Sequence, residues 1–284
     1  MNSVLKIVIA MVIWGSVGLF VKNIDMPSIE IAFLRGAIGT VFLLIVNFFM
    51  KSKVPKEEQE EHSKKDIILL GISGIALVLN WLLLFQAYKY TTITNAILSY
   101  YTAPVFILLL SPIVLKEKLT LKKLISVLVA MGGLALIMMN QPEANGGNYM
   151  HAKGISYGLA AAAAYTSVLL LNKSIKGFSS FYRTIAQIII STLILLPMVL
   201  FRGNLHITGI NMIINILILG VFHTGLAYLL YFSSIQNVSA QRISVLSYID
   251  PISAIILGTL FLGEPLTIYH VIGGACILFS TFEK

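Results

Sequence analysis

Apolar runs long enough to cross a lipid bilayer follow one another along almost the whole chain, and nothing else constrains its fold as strongly. A hydrocarbon layer about 30 Å thick takes roughly 20 helical residues. Runs of that length, or nearly so, fall at about residues 4–21, 29–49, 67–87, 95–114, 121–139, 154–171, 181–201, 212–233, 239–262 and 268–282. Backbone groups in lipid must be satisfied within the segment, so each run is predicted as a helix. With 57% hydrophobic and 11% charged residues, the chain lies well outside the range of a soluble domain. The expected fold is an all-α integral membrane protein with ten transmembrane helices. Lys6 and the apolar run around it resemble a signal peptide, but no small-residue cleavage pattern follows, so this run is read as the first helix.

An even number of spans puts both termini on one side, and basic residues choose the side. With the N-terminus inside, fourteen lysines and arginines fall in cytoplasmic segments, against Lys22, Lys89, Lys153 and Arg202 outside. The expected location is a cytoplasmic-type cell membrane with both termini in the cytoplasm. The formal charge of +8 is then an orientation signal, and no nucleic-acid partner is expected. The expected partners are a small-molecule substrate and membrane lipid, with the protein a monomer or weak homodimer. Residues 51–65, of mixed sign, read as a solvated loop without chemistry. The lone Cys276 excludes an intramolecular disulfide. No phosphate-cradling glycine loop, metal-spaced Cys/His cluster or GxSxG occurs, so no cofactor is expected. Nucleotide-driven pumping is thereby disfavoured, and any concentrative transport must draw on an ion gradient or on exchange.

The chain repeats itself. A shift of 147 residues lays Leu82, Leu83 and Phe85 on Leu229, Leu230 and Phe232, Tyr101 and Pro104 on Tyr248 and Pro251, and Glu117, Leu119 and Thr120 on Glu264, Leu266 and Thr267. A shift of about 151 matches Ser16, Val17, Leu19 and Lys22 with Ser167, Val168, Leu170 and Lys173. The predicted organisation is two five-helix repeats, residues 1–141 and 152–284. Because five is odd, the second enters the membrane inverted. The charges agree: Lys116, Lys118, Lys122 and Lys123, placed inside, correspond to Gly263, Pro265, Tyr269 and His270, placed outside.

Within residues 238–264, read as one span, Asp250 falls about halfway across the apolar layer, next to Pro251. An acid there cannot reach either headgroup layer and must face protein or water, which makes it a candidate binding group. A protonated Asp250 used only for packing is the plainer alternative. Ser247, Asp250 and Ser253 share one helix stripe. At similar depth, Trp14 and its repeat partner Tyr165 either fill gaps or line a cavity, and Tyr101 with Tyr248 should bracket the same region from opposite halves. Trp81 and Tyr228 form a further aromatic pair, with Asn80 beside it. Aromatics around one acid suit an ammonium group, although such residues also serve packing. His223 could exchange protons with Asp250 or be a neutral helix contact. Arg35 could snorkel outward, bind a carboxylate, or pair with an acid as a gate. Arg242 is expected to snorkel, Glu30 and Asp25 to be solvated, and Glu117 and Glu264 to cap the helices that follow them. Gly154 and Gly158 make a GxxxG contact surface.

Trp14 and Gly15, Arg35 in FLRGA, and the paired segments APVFILLLSPIVLKEKLT (residues 103–120) and DPISAIILGTLFLGEPLT (residues 250–267) resemble the drug/metabolite transporter superfamily, specifically its EamA-type members. The resemblance covers essentially the whole chain. It implies ten helices in two inverted halves and a secondary transporter of small polar metabolites, not an enzyme. Amino acids or related compounds leaving the cell come first as substrates, moved by alternating access with proton coupling or exchange. A cationic amine or quaternary ammonium compound comes second. Other readings are a membrane-embedded enzyme using Asp250 and His223 as acid and base, and a sensor or assembly subunit without a cavity. Two positions depart from the family pattern: Ser126 stands where a glycine is expected, although Gly273 is present in the second half, and Ala103 lacks the charge of Asp250.

Overall fold

Proline and glycine decide where the apolar runs stay continuous and where they break. The computed structural model describes residues 2–21, 23–51, 63–91, 93–139, 150–203, 205, 207, 209–262 and 267–281. Lys22, Glu264, Lys284, most of the 51–65 loop and most of the connection between the repeats lie outside the described residues. The helices are α1 (Ser3–Gly15), α2 (Val17–Val21), α3 (Ser28–Lys51), α4 (Lys64–Tyr90), α5 (Ile93–Tyr100), α6 (Ala103–Val114) and α7 (Leu121–Met139). They continue with α8 (His151–Ser174), α9 (Ser180–Arg202), α10 (Ile210–Ile218), a π-helical segment (Leu219–Leu226), α11 (Ala227–Phe232), α12 (Ala240–Leu246), α13 (Ile249–Leu262) and α14 (Ile268–Thr281). No strand occurs among the described residues.

These helices account for ten spans. Seven stretches are long and apolar enough to cross a membrane unaided, the first being Ser3–Val21 and the last Ala240–Phe261. The shorter apolar helices Ala103–Val114 and Ile268–Ser280, together with α7, complete the set. Large apolar side chains face outward along the bundle, among them Phe48, Leu121, Phe201, Leu260 and Phe279. An apolar surface of this extent is suited to lipid and not to water.

Span 9 is not the single helix that residues 238–264 suggest. It breaks at Ser247 and Tyr248, between α12 and α13, and span 4 breaks at Tyr101 and Thr102, between α5 and α6, so the two breaks coincide at the repeat pair Tyr101 and Tyr248. The cause is local. Pro251 and Pro104 have no N–H to bond the carbonyls four residues earlier, those of Ser247 and Tyr100, and their rings crowd those carbonyls. Each proline is accommodated in the first turn of the helix that restarts after the break.

Packing follows the repeat. Exchanging the halves turns α1 into α8, α3 into α9, α4 into the α10–π–α11 span, and α7 into α14. Accordingly α4 packs on α8 as α1 packs on α11, α5 and α6 on α8 as α12 and α13 on α1, and α3 on the π segment as α9 on α4. The α3–α9 and α7–α14 contacts map onto themselves. The connections collect at two ends. At one, Asn237 reaches Ser3 (3.5 Å), and Asp66 accepts the backbone N–H groups of Lys176 (3.4 Å) and Gly177 (3.2 Å). At the other, Thr91 meets His151 at 2.9 Å.

Candidate functional site

The central region is built where the two broken spans cross. Restarting the helix after Tyr248 puts Asp250 in the first turn of α13, half-buried. Tyr101, the residue at the other break, lies beside the Asp250 carboxyl. The rings of Tyr101 and Tyr248 stack at 6.2 Å, and the Tyr248 hydroxyl donates to the Tyr101 carbonyl (3.2 Å). A carbonyl exposed by one interruption is thus satisfied by a side chain from the other.

α1 brings its own interruption to this point. It ends at Gly15, where a Cβ would lie 2.6 Å from the Asp250 carbonyl oxygen and 2.7 Å from Ser253 Cβ. Only glycine permits that approach of α1 to α13. One residue earlier, Trp14 packs against Tyr228 (5.2 Å) and Tyr231 (5.1 Å). Tyr165, the repeat partner of Trp14, shares a 2.9 Å hydrogen bond with Tyr231 and lies near Ser247. Tyr100 lies 6.2 Å from the Tyr165 ring and 5.6 Å from that of Tyr101, which closes an aromatic path from Trp14 to Asp250. Asn80 holds the edge of this path, donating to the Ala161 carbonyl (2.9 Å) and lying near Tyr100.

Arg35 points inward, contrary to a snorkelling reading. Its guanidinium lies 5.0 Å from the Trp81 ring centroid and close to Tyr228, and its Nε donates to Thr224 Oγ1 (3.0 Å). Trp81 and Tyr228, the predicted pair, meet edge to face at 6.4 Å. No carboxylate pairs with Arg35 among the described residues. A desolvated guanidinium over tryptophan gains about 2 kcal/mol, far less than the several kcal/mol lost on removing it from water.

The predicted relay between His223 and Asp250 is not assembled. The His223 ring bonds Ser16 Oγ (2.8 Å) and the Ile218 carbonyl (3.3 Å), and packs on Phe20 (5.2 Å). The reason lies in the π segment, whose wider turns direct His223 toward the break between α1 and α2. Its backbone contributes instead, since the His223 carbonyl accepts from Trp14 Nε1 at 2.9 Å. The same segment carries Thr224, whose hydroxyl bonds the Leu219 carbonyl at 3.0 Å and receives Arg35.

Three further expectations need correction. Glu30 is not solvated: it is buried, and its Oε2 has no hydrogen-bond partner among the described residues. Glu117 caps α12 from the opposite half and not the helix that follows it, accepting from the N–H groups of Ala240 (2.8 Å) and Gln241 (3.4 Å). Asp250, Tyr101 and Tyr248 are joined, but by a break one turn before the proline. Sequence reasoning missed Tyr100 and Tyr231. Tyr231 stands three residues after Tyr228, on the same helix face, and Tyr100 aligns with Ser247 on the Asp250 stripe; both signals were available.

With this geometry in place, comparison with known proteins is informative. The model of the EamA-like transporter family matches residues 1–139 and again 152–282. The chain belongs to the EamA-like transporter family. An uncharacterized transporter, YxxF, of Bacillus subtilis (strain 168) is 34% identical over 272 residues, covering 96% of this chain and 86% of the relative. An uncharacterized transporter of Archaeoglobus fulgidus is 28% identical over 276 residues, covering 96% and 92%. A crystal structure superimposes with a TM-score of 0.83 at 16% identity, covering 98% of this chain and 94% of the other. At that identity the likeness establishes the fold alone. A transporter of this family is therefore a multi-pass membrane protein, as the apolar girdle requires.

Proposed function

We propose that the chain is a secondary transporter, expected to export, whose substrates are small zwitterionic metabolites of the amino-acid class. Two inverted halves, residues 1–141 and 152–284, alternate access around the central region in the cell membrane, with both termini cytoplasmic. Proton coupling or exchange supplies the driving force. One observation carries this reading: Arg35 and Asp250 border one continuous cluster of aromatic side chains, and among the described residues neither is paired with an opposite charge. Tyr100 lies within electrostatic reach of both. A lone interior charge is costly, and it is retained where a ligand supplies the opposite charge. A substrate carboxylate would answer Arg35 and an ammonium Asp250, with Trp14, Tyr101, Tyr165 and Tyr248 as walls.

A second reading is a cationic amine or quaternary ammonium substrate, favoured by the ring faces near Asp250. Counterflow in proteoliposomes separates the two. For a zwitterion, Asp250→Asn and Arg35→Met each abolish exchange. For a cation, Asp250→Asn abolishes it and Arg35→Met leaves it nearly intact. If neither variant alters exchange of any accepted compound, the central region is not the binding site. The membrane-enzyme reading requires Asp250 and His223 to act as a pair, and their separate hydrogen bonds do not support it. Mass spectrometry of recovered substrate is expected to find it unchanged.

A further inference from the structure

The two ends of the crossing spans are packed differently. α6 lies along α12, and Gln241 Nε2 donates to Ser111 Oγ at 3.0 Å in the buried interface. By the repeat, the equivalent contact at the other end is α5 against α13. Among the described residues that pair has no comparable packing. An inverted repeat with one such contact made and its counterpart unmade is one member of an alternating pair.

The packed end carries a charge cluster that joins the halves. Glu117, just beyond α6 in the first half, accepts the N–H groups of Ala240 and Gln241 in the second. Its Oε1 lies 3.9 Å from Lys173 Nζ at the end of α8. Lys173 Nζ also donates to the carbonyls of Ile235 (2.8 Å) and Val238 (2.6 Å), in the connection entering α12. A plain capping role does not account for Glu117, because α12 has its own cap: Ser239 Oγ accepts from Arg242 N–H at 3.2 Å. Glu117 takes the remaining free N–H groups from across the interface, where helix N-termini favour negative charge.

We infer that Glu117 and Lys173 form the latch that closes the α6/α12 end of the transporter, and that this structure is closed there and open at the α5/α13 end. The inference rests on the alternating-access reading above. The bonds divide cleanly. Lys173 and the connection it holds, which leads into α12, lie in the second half. The contacts of Glu117 with Ala240, Gln241 and Lys173, and the Gln241–Ser111 bond, cross between halves and must break on opening. The positive cluster of Lys116, Lys118, Lys122 and Lys123 puts this end in the cytoplasm.

The test uses the full chain with Cys276→Ser as background. Ser111→Cys and Gln241→Cys are bridged in proteoliposomes with a bifunctional methanethiosulfonate, which forms a reductant-cleavable disulfide to each thiol as methanesulfinate leaves. Counterflow is expected to stop on bridging and to return on reduction. Undiminished exchange by the bridged protein overturns the latch. In a separate arm Ser244→Cys, buried on α12, is alkylated by an impermeant maleimide from the α6/α12 side, with and without Glu117→Gln. Labelling is expected to rise several-fold in Glu117→Gln, and an unchanged rate overturns the proposal. Labelling needs no substrate, so a carrier that moves nothing even when unbridged sinks the transport reading while the latch is still decided. Should Glu117→Gln not yield folded protein, the bridged pair decides alone.

Discussion

Spans 4 and 9 break at the same repeat position, yet only one of them carries an acid. After the break in span 4 comes Ala103, buried against α8, where its carbonyl receives Thr166 Oγ1 at 3.4 Å. After the break in span 9 comes Asp250, half-buried beside Tyr101. Spans 3 and 8 differ likewise: α4 is continuous, whereas the equivalent stretch of span 8 opens into the π segment that delivers Thr224 to Arg35. The backbone is nearly symmetric and the side chains are not. In the proposed mechanism the symmetric frame supplies two exchangeable arrangements, and the asymmetric side chains supply the charges around which they alternate.

The comparison can be broken by moving the acid. Ala103→Asp places a carboxylate in a sealed helix contact, at a cost of about 2.5–3.5 kcal/mol. Loss of monodisperse protein on size exclusion is expected, and a well-folded variant would show that the halves differ less than their packing indicates. Gly15→Val drives a side chain into the Asp250 carbonyl and Ser253. It should destabilise by roughly 1–3 kcal/mol, read as a lower midpoint of thermal unfolding in detergent; the equivalent change at Gly18, where a Cβ meets nothing within 4 Å, should not. Thr224→Val removes the hydroxyl that holds Arg35 Nε. Apparent affinity for a carboxylate-bearing substrate should weaken by about 1 kcal/mol, with fold intact by circular dichroism. The smallest effect is expected at His223. Because its ring bonds Ser16 and not Asp250, His223→Gln should leave the pH profile of exchange in place, and a displaced profile would restore the relay.

Much of this was legible from residue order. Ten apolar runs and the 147-residue repeat give the frame, because hydrophobicity acts segment by segment. The three repeat-related aromatic pairs do converge: Tyr101 stacks on Tyr248, Trp81 meets Tyr228, and Trp14 and Tyr165 flank Tyr231. What stayed hidden depends on angles about the helix axis. The π segment turns His223 away from Asp250, and no residue between Leu219 and Leu226 announces it. Arg35 could face out or in until Thr224 and Trp81 were placed beside it. Glu117 reads as a local cap because its partner lies 123 residues away.

Ligand-dependent thermal unfolding of purified wild type and Asp250→Asn, across amino acids, amines and neutral metabolites, tests the central acid most directly. A ligand at a hundred times its Kd stabilises by about 2.7 kcal/mol. The expected result is a zwitterionic compound that raises the unfolding temperature of the wild type and leaves that of Asp250→Asn unmoved. Equal stabilisation of both proteins by the same compound would contradict a binding role for Asp250.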